Sequence, residues 1–369
     1  MKIGIDGNEA NQKNRVGIGQ VAFNVLNQLE KLGRHQYLIY LKNPPLVDLP
    51  KEREGWNYRV FGPGKLWTQI ALPLKLFTQK EKLDIFFTPS HYAPRFSPFP
   101  TVVYLMDLWH YHHPEQFSQN DLFQLTHWES YSVKRASLVL TISEFSKLEI
   151  INFYHLPPEK IVVAYPGFDK FDIKNFDDGT KKIRTKYGLN EDYLLYLGTL
   201  QPKKNLVGLV EAFSQLSGHF LKVNLVIAGR KGWLYEEIFR RVEKLGLQKK
   251  VFFPGFISEE EKPYLLAGAK AFVLPSFYEG FGIPVLEAMS LGVPVVAADA
   301  GSLPEVGGEA AIYCDPFSVG SIAEAIERVL CLNKKQRDEI INLGQKQSRR
   351  FSWEKCGENV LKALENVKR

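Results

Sequence analysis

The chain has 369 residues, 45% of them hydrophobic and 24% charged, with 47 Lys and Arg against 41 Asp and Glu for a formal charge of +6. Such a length sets an expectation of two domains, each able to bury its own core, and the composition excludes disordered, collagenous and disulfide-stapled classes. The basic excess is even, with 19 basic and 16 acidic groups in residues 1–170 and 28 and 25 after them, so no basic lobe marks a nucleic-acid binder and no nucleic-acid partner is expected.

Two further exclusions follow. Cys314, Cys331 and Cys356 are odd in number and far apart, which gives no disulfide framework and points to a reducing, cytoplasmic setting. The opening Lys2-Ile3-Gly4-Ile5-Asp6 holds an apolar run too short for a secretory signal, and no run nears the ~18 apolar residues that cross a bilayer. A mildly basic surface still suits anionic substrates or peripheral attachment at the inner membrane face.

Short apolar runs alternate with amphipathic stretches along the chain. The first strand is expected at 3–5, then a turn through Gly17 and Gly19, then a helix from about Val21 to Leu32 with Phe23, Leu26 and Leu29 inward. Strands follow at 37–41, 85–88, 101–105 and 138–142, with a helix over 121–135. The segment 65–82 carries Lys65, Lys75, Lys80 and Lys82 among Trp67, Leu74, Leu76 and Phe77. It reads either as a first-domain core helix with a basic rim or as a docking segment for an acceptor or membrane. Residues 168–180 are rich in Asp, Lys and Asn and read as a linker.

The alternation then restarts. Strands are expected at 193–197, 223–228, 251–253, 271–274 and 294–297, and helices at 206–216 and 234–245. Alternating strands and helices imply parallel sheets, so the fold class is α/β with two Rossmann-like doubly wound domains, 1–170 and 181–350. The last segment, 351–369, holds an amphipathic helix over 353–367 that either caps the second domain or crosses back to the first; we assign it to the first.

The chemistry concentrates in Ser276-Phe277-Tyr278-Glu279-Gly280-Phe281-Gly282-Ile283-Pro284-Val285-Leu286-Glu287. Pro284 fits a first helical turn, where its missing N–H costs nothing. Gly280 and Gly282 allow close backbone approach, and the helix start offers unpaired N–H groups and a positive dipole end to a phosphate. Glu279 and Glu287 flank that anion site. They would repel phosphate, so their task is to accept hydrogen bonds from sugar hydroxyls, one from a nucleotide ribose and the other from a transferred sugar.

This segment resembles the Glu-x7-Glu signature of family-4 (group 1) retaining glycosyltransferases, which have the two-domain GT-B fold with a cleft between the domains. Further segments match in order. Gly17-Ile18-Gly19 resembles the glycine-rich loop near the donor phosphates. Leu197-Gly198-Thr199-Leu200-Gln201-Pro202-Lys203-Lys204-Asn205 resembles the loop that supplies cationic diphosphate contacts. Gly229-Arg230, Pro254-Gly255-Phe256 and Ser302-Leu303-Pro304-Glu305 also fall in place.

The resemblance implies metal-independent, retaining hexosyl transfer from a nucleotide sugar to a glycan or lipid-linked acceptor, as in polysaccharide biosynthesis. Mannosyltransferase-like features around Trp67-Thr68-Gln69 put GDP-mannose first and UDP-sugars second as donor, with no further cofactor. It places Asp107, Glu279 and Lys204 in catalysis, and Gly17, Gly19, Thr199, Lys204, Arg230, Phe256, Gly280, Phe281, Gly282, Ile283 and Glu287 around the donor, with no metal ligands.

Two departures stand out. Thr199 takes the place where many relatives carry Arg, so the diphosphate charge falls to Lys203, Lys204 or Arg230, and Lys204 fits best; the alternative reading of Lys203 is a solvated charge at a helix start. Met106 precedes Asp107 where many relatives carry His; His110 lies close enough in sequence to substitute. The cluster His110, His112, His113 matches no zinc spacing and reads as surface or capping histidines, and His91 reads as structural. A glycoside hydrolase, an epimerase of related fold and a nucleotide-sugar binder without transfer are the competing readings. The lysine loop and the Gly-rich helix start disfavour the hydrolase, which needs no diphosphate site; the Glu-x7-Glu centre disfavours the epimerase, and its intact carboxylates the inactive binder.

Overall fold

A computed structural model describes residues 1–171, 175–216 and 222–367. Part of the expected linker (172–174) and the last two residues of the C-terminal segment lie outside the described residues. The chain divides into two compact units, Met1–Gly167 with Phe351–Arg369, and Phe168–Arg350.

The first unit is built on seven parallel strands: β1 (Lys2–Asp6), β2 (Gln36–Leu41), β3 (Trp56–Val60), β4 (Ile85–Thr88), β5 (Thr101–Leu105), β6 (Leu138–Thr141) and β7 (Ile161–Val163). Their order is β3-β2-β1-β4-β5-β6-β7. Every residue of β4 and β5 is buried, as expected for strands covered on both faces, which read as unbroken apolar runs. The helix after β1 spans Ile18–Leu32, three residues longer at its start than the periodicity indicates, because Gly17 at φ 50° turns the chain directly into it. Val21, Val25, Leu26 and Leu29 form its buried stripe, each contributing about 1.5–3 kcal/mol relative to an exposed position.

The C-terminal helix Trp353–Glu365 lies against this same helix. A Cβ at Gly357 would sit 2.4 Å from that of Gln28, so glycine is what permits the close approach. The His35 ring lies 2.8 Å from the Glu365 carboxylate, and the Tyr104 hydroxyl lies 3.7 Å from Cys356 Sγ. The helical run over 119–135 is continuous but changes type, with a π-helical stretch Gln124–Glu129 between two α-helical pieces.

The second unit has six parallel strands: β8 (Asp192–Leu197), β9 (Val223–Ala228), β10 (Val251–Gly255), β11 (Ala271–Leu274), β12 (Val295–Ala298) and β13 (Ala311–Cys314). Their order is β10-β9-β8-β11-β12-β13. The direction of winding reverses between β8 and β11, which pair through Ala271–Leu194 and Phe272–Leu195. Loops leaving the carboxyl ends of strands at such a reversal form the ligand crevice of doubly wound sheets. A helix, Phe176–Tyr187, begins inside the expected linker. Only Ile183 is buried on it, so it shows little apolar periodicity; Asp177 and Asp178 in its first turn and Arg184 and Lys186 in its last complement the helix dipole.

Candidate active site

The loops after β8 and β11 meet at the winding reversal. The Phe277 N–H donates to the Lys203 carbonyl at 2.9 Å, tying one loop to the other. Pro202–Lys204 forms one 3-10 turn, and Asn205 at φ 54° separates it from the helix Leu206–Ser214. Lys204 is thus presented by a turn ahead of the helix, not within its first turn. Asn205 holds that turn by donating from Nδ2 to the Pro316 carbonyl at 2.7 Å.

Lys204 Nζ donates to Glu279 Oε1 at 2.5 Å, with side-chain exposures of 15% and 8%. Ser276 Oγ donates to the same oxygen at 2.7 Å. Ser302 anchors the loop from behind: its N–H donates to the Glu279 carbonyl at 3.1 Å, and its Oγ lies 3.0 and 2.9 Å from the Glu279 and Phe281 carbonyls. Gly282, at φ 103°, precedes the helix Ile283–Ser290; Pro284 lies in the first turn and no side chain caps the start. Gly280 and Phe281 are buried beneath it. A pinned carboxylate and an uncapped helix start on the loop after β11 therefore meet a cation from the loop after β8.

Glu287 is on the buried side of that helix, and burial pushes its carboxyl up while Lys262 pulls it back. Lys262 Nζ donates to Glu287 Oε1 at 2.8 Å and to Glu259 Oε2 at 2.7 Å. Burial opposes the charge on Lys262, but the two carboxylates outweigh it and the ammonium is held above its ordinary range. Arg230 stacks its guanidinium 4.4 Å from the centre of the exposed Phe256 ring. Thr199 is half-buried, and its carbonyl accepts from the Tyr196 hydroxyl at 3.1 Å.

Gly17, Gly19 and Asp107 belong to the first unit. Gly17 is exposed and Gly19 buried at the start of the helix after β1. Asp107 follows β5, and its Oδ1 accepts from the Trp109 N–H at 3.3 Å. His110 is buried at 2% exposure with Nε2 3.4 Å from Glu129 Oε1, not at the surface as expected. Burial lowers its pKa to about 4 against the opposing pull of Asp107. His112 pairs with Glu149, and His113 lies 2.9 Å from Glu115, so each histidine of the trio faces its own carboxylate.

Of the two readings of Lys203, diphosphate cation or solvated charge, the solvated one does not hold: Lys203 is buried, with Nζ 5.9 Å from the Tyr278 ring centre, because the 3-10 turn directs the two lysines differently. Lys262, Ser276 and the φ 54° of Asn205 were not singled out from sequence. Lys262 stands alone at the start of the short helix Lys262–Ala267, and nothing in its local pattern indicates the partner 25 positions away.

Residues 16–170 match the family described as Glycosyltransferase Family 4, and residues 179–347 that described as Glycosyl transferases group 1. The chain is 37% identical over 234 residues to O-antigen chain mannosyltransferase B of Escherichia coli, an alignment spanning 63% of this chain and 61% of that protein. It is 31% identical over 223 residues to O-antigen chain mannosyltransferase RfbU of Salmonella typhimurium, spanning 60% and 59%. The alignments thus reach about three fifths of these relatives' length. Among solved structures, Anabaena HepE in complex with UDP-glucose matches with a TM-score of 0.76 at 23% identity, over 99% of both chains. The sucrose-phosphate synthase of Thermosynechococcus elongatus matches with a TM-score of 0.76 at 19% identity, over 99% of this chain and 98% of the other. At these identities the two solved structures speak for the fold.

Proposed function

Since the chain belongs to the group 1 and family-4 glycosyltransferases, we propose that it transfers a hexose, mannose first, from a nucleoside diphosphate sugar to a hydroxyl of a glycan or lipid-linked acceptor with retention at the anomeric carbon. The observation that carries this reading is the Lys204–Glu279 pair beside the uncapped helix start at Gly282, all at the β8/β11 reversal. Phosphate oxygens suit the helix start and Lys204. Sugar hydroxyls suit Glu279, and the ribose suits Glu287. The mannosyltransferase names of the relatives support GDP-mannose ahead of UDP-sugars as donor.

In this reaction the bond from the anomeric carbon to the phosphate oxygen breaks, and its electron pair leaves on the diphosphate. The acceptor oxygen attacks from the same face and passes its proton to the departing phosphate oxygen. The protein's contribution is positioning and stabilisation of the leaving charge. Because Lys204 and the helix start supply positive charge there, transfer is expected to persist in excess chelator, with the product retaining the donor's anomeric configuration by NMR. Activity lost in chelator and restored by manganese, or an inverted product, would contradict this.

We further propose peripheral contact with an anionic bilayer in a cytoplasmic setting. Among the described residues no helix is long and apolar enough to cross a membrane. In the first unit, the run over 67–78 turns Trp67, Leu72 and Leu76 into the core while Ile70, Leu74 and Phe77, with Leu66 just before them, stay exposed by 46–61%. Lys65, Lys75 and Lys80 flank this stripe, and residues 55–80 contain no Asp or Glu. An apolar stripe with a basic rim is complementary to anionic lipid. Flotation with phosphatidylglycerol vesicles at low salt should carry the protein, and Leu74→Glu with Phe77→Glu should abolish it; failure of the unmodified protein to float would remove this proposal.

A further inference from the structure

Glu279 and Glu287 each hold a lysine, but the two lysines have different standing. Lys204 lies in the motif loop, whereas Lys262 comes from a separate helix outside every motif segment. Its ammonium is fixed between Glu287 Oε1 at 2.8 Å and Glu259 Oε2 at 2.7 Å, 5.2 Å from the centre of the Phe171 ring. The Lys262 and Glu287 side chains are 12% and 6% exposed. Glu287 Oε2 has no hydrogen-bond partner among the described residues.

We infer that Lys262 is a positioning residue for the donor: it clamps Glu287 Oε1, keeps the carboxylate an acceptor, and leaves Oε2 for the ribose hydroxyls of a nucleoside diphosphate. This rests on the reading of Glu287 as the ribose ligand. The physical need is direct. A carboxylate buried on a helix face tends toward its neutral form, which would donate from one oxygen and lose an acceptor. A buried lysine with two charge-assisted hydrogen bonds holds the charged form and fixes the rotamer, so the ordering cost is met before the ligand arrives. Loss of a lysine serving packing alone would weaken the ribose and dideoxy forms of the ligand alike.

The test is calorimetric titration of the full chain with GDP and UDP and with their 2′,3′-dideoxy analogues. The unmodified protein should prefer the ribose form of its favoured nucleotide by about tenfold or more, the value of one charge-assisted hydrogen bond. Lys262→Met should lose most of that preference while binding the dideoxy form within about threefold of the unmodified protein. Lys262→Arg should recover part of it. Equal weakening toward both forms, or an unchanged ratio in Lys262→Met with a collapsed ratio in Glu287→Gln, would overturn the positioning role alone. A ratio unchanged in Glu287→Gln as well would overturn the ribose reading on which it stands.

Discussion

Lys204→Ala is expected to slow sugar transfer by about 10²–10³, the usual loss when one preorganised charge partner of a transition state is removed. Thr199 brings no charge to the loop, so Lys204 is the cation seated beside Glu279 at the helix start. In a partly shielded crevice its attraction to charge developing on the diphosphate exceeds that of an exposed pair. The substitution also leaves Glu279 without its ammonium, although Ser276 still donates to it. Breaking a fully buried pair costs about 3–5 kcal/mol, and the residual exposure of both side chains places this one at or below the lower end. Adding Glu279→Gln to Lys204→Ala should therefore recover thermal stability without recovering turnover. If Lys204→Ala keeps near-full activity while Arg230→Ala loses it, the cationic role passes to Arg230, which now stacks on Phe256.

Gly229→Ala is expected to be among the most destabilising single changes in the second unit. Gly229 has φ 146°, and a Cβ there would lie 1.8 Å from the Gly198 carbonyl oxygen. Neither backbone can yield easily, because the Gly198 N–H donates to Ala228 at 3.0 Å and the Gly229 N–H to Gly255 at 2.8 Å. Backbone strain of about 1–3 kcal/mol adds to a comparable overpacking term. The loops after β8 and β9 must then part, so donor affinity should fall as well. Gly246→Ala is the control: its φ is 68°, but a Cβ there meets nothing within 4 Å, so only strain remains. Urea unfolding of both variants measures the difference, and equal midpoints would contradict the clash.

The site was legible where chemistry is encoded in contiguous residues. Glu279, Gly282, Pro284 and Glu287 mark a strand end, a left-handed glycine and a helix start within a few positions, and the structure has a helix opening there. Partnerships between distant segments were not legible. Nothing local tells Lys203 to fold under Tyr278 while Lys204 turns to Glu279, and nothing local joins Lys262 to Glu287.

The same contrast governs the fold. Fully buried runs such as 85–88 and 271–274 announce strands with the bounds observed. The strands β3, β7 and β13 carry weaker signals: Trp56-Asn57-Tyr58-Arg59-Val60 alternates as a half-exposed edge, β7 has three residues of which two are partly exposed, and β13 is broken by the partly exposed Tyr313. His110 was misplaced at the surface because its burial depends on Glu129, which the π-helical stretch brings against it.

The crevice at the β8/β11 reversal is proposed to hold a nucleoside diphosphate sugar. Calorimetric titration of the full chain with GDP-mannose, UDP-glucose, UDP-galactose, ADP-glucose and TDP-glucose, with chelator present throughout, tests it most directly. One donor should bind with a single site per chain, GDP-mannose first in order of expectation, and at a hundredfold excess over Kd should stabilise the protein by about 2.7 kcal/mol. Absence of binding by every nucleoside diphosphate sugar, or equal binding of the free sugars, would contradict the account.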